Sequence, residues 1–384
     1  MFRKLNLFLL ALCGLSLMLT SAFGEEYKST YTTVRQTCQK LFNVSNNQII
    51  TRYTNCVEND PQKEEIFNTA LDWVVDPDSG ESADIIYELV RTSSGFVVRM
   101  TFCDGFFPND CAPPEDTPLK NVSPFVLQKI APNPSSALTK SSKDSAVPNR
   151  LYTAGANTAA LRNDYVAYVL GSDHSPTTAK KVIFANPTSK TTLGGSVAPD
   201  GGMAVQLIAD SSTWNLSMQK LNNGIPTGKS FSWTVPAYTG YSLDITNAIE
   251  VNSGAAGKSA QRVRYIVYRA FRNVATTSQQ SQVLIQTIDD VTGQPTGPAR
   301  ALTNFAPALQ ATAESIQGDA ISPDGKILLF TTYAASCKRQ IGKIMMLANG
   351  ARVGAIKTAV SCTGLSSTPG GVIGLDMMLP ETPK

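Results

Sequence analysis

One histidine, His174, serves the whole 384-residue chain. Serine and cysteine hydrolases draw a proton from their nucleophile with an imidazole held at hydrogen-bond distance. His174 lies in Leu170-Gly171-Ser172-Asp173-His174-Ser175-Pro176, a run of small, polar and Pro residues typical of a turn. The expectation is an exposed loop histidine. Neither a Gly-x-Ser-x-Gly elbow nor a cysteine with a basic partner accompanies it. Phosphate chemistry has no better footing. Pro226-Thr227-Gly228-Lys229-Ser230 ends like a Walker loop but lacks the first glycine at the required offset. Asp76, Asp78, Glu81 and Asp84 are spaced like oxygen ligands for calcium. Yet Glu81 falls where an EF-hand loop turns on Gly, and Tyr87 where it needs a bidentate Glu, so a solvated acidic turn is expected. No catalytic, cofactor-binding or metal-ligating residue is assigned. One enzymatic alternative stays open: a carbohydrate-active hydrolase or lyase using paired carboxylates, whose separation is set only in three dimensions.

The cysteines are more informative. Arg3 and Lys4, the apolar run Leu5 to Leu19, and Ala22-Phe23-Gly24 make a secretory leader, with cleavage expected before Glu25. An uncleaved membrane anchor is the rival reading of that segment. Cys38, Cys56, Cys103, Cys111, Cys337 and Cys362 remain after cleavage. An even count in an exported chain argues for disulfides. A zinc site is disfavoured by the lone histidine and the lack of a Cys-x-x-Cys pair. Six cysteines permit many connectivities; these fall into three neighbouring pairs, and the sequence-local pairing is favoured. A bridge from Cys337 to Cys362 would contribute about 3 kcal/mol through chain entropy.

Without the leader, 31 basic residues face 30 acidic ones. No strong field of either sign results, so nucleic-acid binding lacks its usual electrostatic footprint. No later segment is long and apolar enough for a membrane helix. Asn43, Asn121 and Asn215 each begin an Asn-x-Ser sequon.

The elements that would position a site read mostly as strands. Ser322-Pro323-Asp324-Gly325 has turn chemistry at every position. The run Lys326 to Tyr333 that follows is rich in β-branched and aromatic residues. It points Ile327 and Leu329 to one face and Leu328 and Phe330 to the other, so it needs cover on both. Pro199-Asp200-Gly201 precedes a similar strand, and Pro-Thr-Gly recurs at Pro226 and Pro295 after strands ending in Leu221 and Ile288. The 69-residue spacing of the Pro-Thr-Gly turns implies an insertion, expected around Asn252 to Gln261. Lys258 to Arg272 is expected to alternate exposed Arg with buried Val, Ile and Tyr. Nearer the N-terminus, residues 33–46 and 61–75 suggest short helices, the second from the spacing of Phe67, Leu71 and Val74. Asp84 to Phe102 reads as a hairpin around Ser93-Ser94-Gly95. Pro132 to Asn149 reads as an exposed Ser/Pro-rich loop.

Units of about 40 to 50 residues with four short strands each are the signature of propeller blades. On the Ser322–Gly325 turn, Pro199-Asp200-Gly201 and the two Pro-Thr-Gly turns, residues 150 to 384 resemble the TolB-like and WD40-like propellers. The resemblance implies a protein or peptide partner in the cell envelope. The expected architecture is all-β: a leader over 1–24, a small disulfide-bearing α+β cap over 25–120, and a β-propeller of about five to seven blades over 121–384. The expected function is a secreted or periplasmic, non-catalytic binding or scaffold module. No cofactor is assigned.

Overall fold

The computed structural model describes residues 25–32, 36–45, 48–58, 65–75, 82–104, 111–119, 123–131, 150–157, 162–171, 173–187, 191–198, 202–210, 213–222, 225–234, 242–243, 250–251, 255–256, 262–276, 278–289, 292–306, 308–309, 319–322, 324–334, 337, 339–362 and 374–378. The leader, the acidic turn 76–81, Pro199-Asp200-Gly201, Asn121, Pro323 and the loop 132–149 lie outside them.

Nearly all described residues are in strands, and these form six antiparallel sheets. The first sheet holds β1 (Glu25–Thr32), β2 (Gln36–Ser45) and β3 (Gln48–Glu58). The second holds β4 (Glu65–Val75), β5 (Ser82–Thr92), β6 (Gly95–Asp104) and β7 (Glu115–Pro118). The third holds β8 (Ser123–Ala131), β9 (Arg150–Asn157), β10 (Arg162–Leu170) and β11 (Pro176–Pro187). In the fourth, β12 (Thr191–Val197), β13 (Met203–Asp210) and β14 (Thr213–Asn222) are followed by short β15 (Ile225–Pro226) and β16 (Phe231–Thr234). The fifth sheet starts with three two-residue strands, β17 (Ser242–Leu243), β18 (Glu250–Val251) and β19 (Ala255–Ala256). All three pair with the long β20 (Arg262–Ala275), which pairs with β21 (Ser278–Asp289). Two-residue β22 (Arg300–Ala301) and β23 (Ala308–Leu309) complete that sheet. The sixth holds β24 (Asp319–Ile321), β25 (Ile327–Ala334), β26 (Arg339–Ala348) and β27 (Ala351–Val360). The last strand, β28 (Gly374–Met378), returns to pair with β1.

The opening strands β4, β8, β12, β18 and β24 touch in succession; β24 touches β28, and β28 touches β4. The sheets therefore stand around a ring, in which the last described strand, β28, pairs with the first, β1. This is the arrangement of a β-propeller.

Its core lies between sheets, because a central strand is buried on both faces. Leu328 and Phe330 pack with Val267, Val283 and Leu347 between the fifth and sixth sheets. Ile327 and Leu329, on the other face of the same strand, pack with Tyr27, Tyr31 and Ile344 between the sixth and first. Similar clusters join the second to the third sheet around Tyr87 and Leu170, the third to the fourth around Tyr165 and Val197, and the fourth to the fifth around Met218 and Tyr268.

Two expectations are overturned. The segments read as helices are β2 and β4. In β4 the register shifts between Ile66 and Asn68, leaving Phe67 as an extra residue. The bulge breaks the two-residue alternation and so imitates helical spacing. No separate α+β cap is seen among the described residues: those of 25–119 form two sheets of the ring itself. The Ser93-Ser94-Gly95 hairpin forms as expected, with Gly95 at φ 128°. The insertion expected around Asn252 to Gln261 lies outside the described residues, apart from β19.

Candidate functional site

In a ring of antiparallel meanders, the turns joining first to second and third to fourth strands emerge on one face. The Ser322–Gly325, His174, Pro-Thr-Gly and Asn349-Gly350 turns all lie on it.

The Ser322 turn is a compact hydrogen-bonded unit. Gly325 N donates to Ser322 O at 2.8 Å, with Gly325 at φ 73°. Ser322 Oγ accepts from Lys326 N at 3.1 Å and Ile327 N at 2.9 Å, and donates to Asp324 Oδ1 at 2.6 Å. The other Asp324 oxygen accepts from the Tyr27 hydroxyl at 2.9 Å. Tyr27 belongs to the first sheet, so this turn bonds the sixth sheet to the one that β1 and β28 share.

His174 departs from its expectation: it is half-buried, at φ 63°, in the β10–β11 turn. Asp173 shapes the turn by accepting from Ser175 N at 3.1 Å and Ser175 Oγ at 2.9 Å, and these bonds hold its carboxyl below the usual range. The His174 carbonyl accepts from the Tyr87 hydroxyl at 3.2 Å, and its ring stands edge-on to Phe102 at 6.2 Å. Burial lowers the imidazole pKa, with Asp173 opposing it. The residue docks a third-sheet turn onto the second sheet.

The two Pro-Thr-Gly turns share a fastening that their sequence copies only hint at. Thr227 N donates to Lys220 O and Thr296 N to Thr287 O, at 2.9 and 3.0 Å. A glutamine on the third strand then reaches the same segment. Gln219 Nε2 donates to Thr227 O at 2.9 Å, and Gln286 Nε2 to Gly297 O at 2.6 Å. Gly228 and Gly297 sit at φ 67° and 115°. Gln-Lys-Leu and Gln-Thr-Ile, a few residues before each turn, were the available signal. Within the second of these turns, Gly293 lies against Met218 and Phe231 of the fourth sheet.

Three disulfides join Cys38 to Cys56, Cys103 to Cys111 and Cys337 to Cys362. All flank the first sheet. Four of the cysteines belong to the cluster between the sixth and first sheets. Cys103 and Cys111 pack with Leu71 and Ile86 on the second sheet's opposing side.

That first-to-second seam differs from the other five. Among the described residues its apolar clusters, around Leu71 and around Ile66, belong to the second sheet alone. Polar contacts span it instead. Lys28 Nζ donates to both Asp84 oxygens, at 2.8 and 2.9 Å, with the side chains 12% and 1% exposed. The Thr37 hydroxyl donates to Glu88, which is also buried. Arg99, opposite Glu88 in register, holds Asp116 bidentately at 2.8 and 3.1 Å. Asp84, read in sequence as part of a solvated acidic turn, is thus half of a buried ion pair. The arginines of β20 correct another expectation. Arg264 and Arg269 are buried whereas Arg272 is exposed, because this second strand is covered on both sides.

No family model matches the chain, and no curated protein matches it. Solved structures align over most of its length but loosely. The β-propeller domain of the Trilobed protease from Pyrococcus furiosus is 9% identical at a TM-score of 0.36, covering 88% of this chain and 98% of that one. The WD40 domain of Toxoplasma gondii coronin is 10% identical at 0.40, covering 88% and 67%. A prolyl endopeptidase is 13% identical at 0.34, covering 89% of this chain; the chain spans 50% of that protein's length. The fold assignment rests on the ring of strand contacts.

Charge is unevenly distributed around that ring. Residues 25–119 hold 16 acidic and seven basic side chains, whereas residues 325–375 hold six basic ones and no Asp or Glu. The near-zero total conceals this separation. Among the described residues no cluster of His, Cys, Asp and Glu is arranged to hold a metal ion, and no helix is long and apolar enough to cross a membrane.

Proposed function

We propose that this chain is an exported, six-bladed propeller acting as a non-catalytic binding or scaffold module for a protein or peptide of the cell envelope. The supporting observation is the turn-bearing face. There the Ser322, His174 and Gly293 turns are each fastened to a neighbouring sheet. A surface fixed before encounter loses little conformational freedom on binding. Loops held on a rigid scaffold are where recognition concentrates. The TolB-like resemblance of the Ser322–Gly325 turn points to the same class of partner. Export follows from the leader, and three disulfides accord with an oxidising compartment.

Chemical cross-linking of the oxidised protein in an envelope extract, followed by mass spectrometry, tests this reading. A saturable protein or peptide partner, competed by unlabelled protein, is expected. Absence of any such partner, together with turnover of an oligosaccharide panel, would replace it with the carboxylate enzyme.

A further inference from the structure

We propose that the corner of the fifth and sixth sheets on the turn-bearing face is the docking surface for an acidic segment of the partner protein. The proposal rests on the binding reading above and names the chemistry of the partner.

Three cations, two on strands and one just ahead of a third, converge there on one tight turn. Lys326 precedes β25, and its carbonyl accepts from Leu347 N at 2.6 Å. Leu347 on β26 stands opposite Arg352 on β27, so Lys326 and Arg352 flank one cross-strand row. That row ends at Asn349-Gly350, with both residues at positive φ, 50° and 68°. Arg300 comes from β22 of the fifth sheet. Its Nη2 donates to the carbonyls of Asn349 and Gly350, at 3.3 and 3.2 Å, which places the guanidinium beside the same turn. All three residues are exposed.

Asp324 is the acidic partner described at this corner, and it pairs with Lys326. Between Asp324 and Asp376 the sequence has no acidic residue. Asp324 already accepts from Tyr27 and Ser322, and Lys326 Nζ lies 3.6 Å from it. Like charges brought onto one corner repel over a screening length of about 8 Å, and an acidic ligand relieves that repulsion wherever they lie within it. The second sheet, where seven acidic residues on β4 to β7 outnumber two arginines, repels the same ligand, so the chain's own field steers it toward this corner.

The contact runs through side-chain charge rather than strand addition. β27 is the outer strand of its sheet, but its register jumps between Val353 and Lys357, with Gly354 at φ 72°. A bulge of this kind, flanked by basic residues, blunts an edge against a pairing strand.

Fluorescence anisotropy with a labelled peptide alternating Glu and Ser, and a Lys/Ser peptide as control, tests the assignment on the full oxidised protein. The Glu/Ser peptide is expected to bind and to weaken as salt rises from ~50 to ~300 mM. Lys326→Glu with Arg352→Glu should weaken it at least about tenfold, and Arg352→Gln by less. Lys181→Glu, an exposed change on the third sheet, should leave binding unaltered. Unchanged binding by the double variant, or an equal loss in Lys181→Glu, overturns the proposal. So does salt-sensitive self-association abolished by the double variant, which would assign the corner to a second copy. If an envelope partner binds parent and double variant equally, the corner is wrong while the binding reading survives. If the parent has no partner, that reading fails first.

Discussion

Removing one member of the Lys28–Asp84 pair should unsettle the ring more than removing both. Asp84 is 1% exposed and Lys28 12%, and the ammonium spans both carboxylate oxygens. Taking two ions out of water is costly, and their attraction roughly offsets that cost. A single replacement leaves the other charge buried with the cost and without the attraction. Asp84→Asn and Lys28→Met are each expected to destabilise by about 3–5 kcal/mol, whereas Lys28→Met with Asp84→Leu should be within about 1 kcal/mol of the parent. Unfolding entropy of roughly 2 cal/mol/K per residue gives a chain of this length about 0.7 kcal/mol/K, so a loss of about 4 kcal/mol lowers Tm by about 5–6 °C. Urea titration followed by circular dichroism, with disulfides intact, supplies the double-mutant cycle. Equal m-values across the four proteins are required before midpoints are compared. The reasoning is refuted if each single change costs under about 1 kcal/mol, or if the two losses simply add. Hydrogen exchange offers a second view: amides of β1 and β5 should lose protection in Asp84→Asn before those of β25 and β21, which sit in apolar seams.

Other expectations follow from single contacts. Gly293→Ala meets a backbone at φ 72° and a Cβ 2.0 Å from Met218 Cε; a loss of about 2 kcal/mol or more is expected in urea midpoints. Cys337→Ser with Cys362→Ser opens a span of 25 residues and should cost about 3.5 kcal/mol on the chain-entropy model, read against the parent under the same oxidised conditions. His174 is the sole histidine, so proton NMR reports it without ambiguity. Burial lowers its folded pKa below the unfolded value near 6.5. The unfolded chain therefore binds more protons, and the stability it contributes is lost as pH falls from about that value through the lower folded one. His174→Asn, which suits positive φ, should flatten that part of the stability–pH curve. A titration midpoint at or above the ordinary value would contradict this.

Local chemistry and alternation were enough to read much of the architecture. The Ser322 turn, the two-faced strand after it and the Ser93–Gly95 hairpin follow from turn propensities and a two-residue period. Both are properties of neighbours in sequence. The β4 bulge shows where that reasoning fails, since one extra residue at Phe67 shifts the phase of the pattern without changing its composition.

The seams were decided in three dimensions. Tyr27 and Asp324 lie 297 residues apart, and Lys28 and Asp84 lie 56 apart. No periodicity relates them. Tyr27 meets Asp324 because the first sheet packs against the sixth, and Lys28 meets Asp84 because the first sheet packs against the second. Burial of Arg264 and Arg269 likewise depends on which sheets cover β20. The basic corner combines an arginine of the fifth sheet with a lysine and an arginine of the sixth. Sequence sets how many charges a segment carries. Which of them share a surface depends on the stacking of sheets, because electrostatic and packing forces act through space and not along the chain.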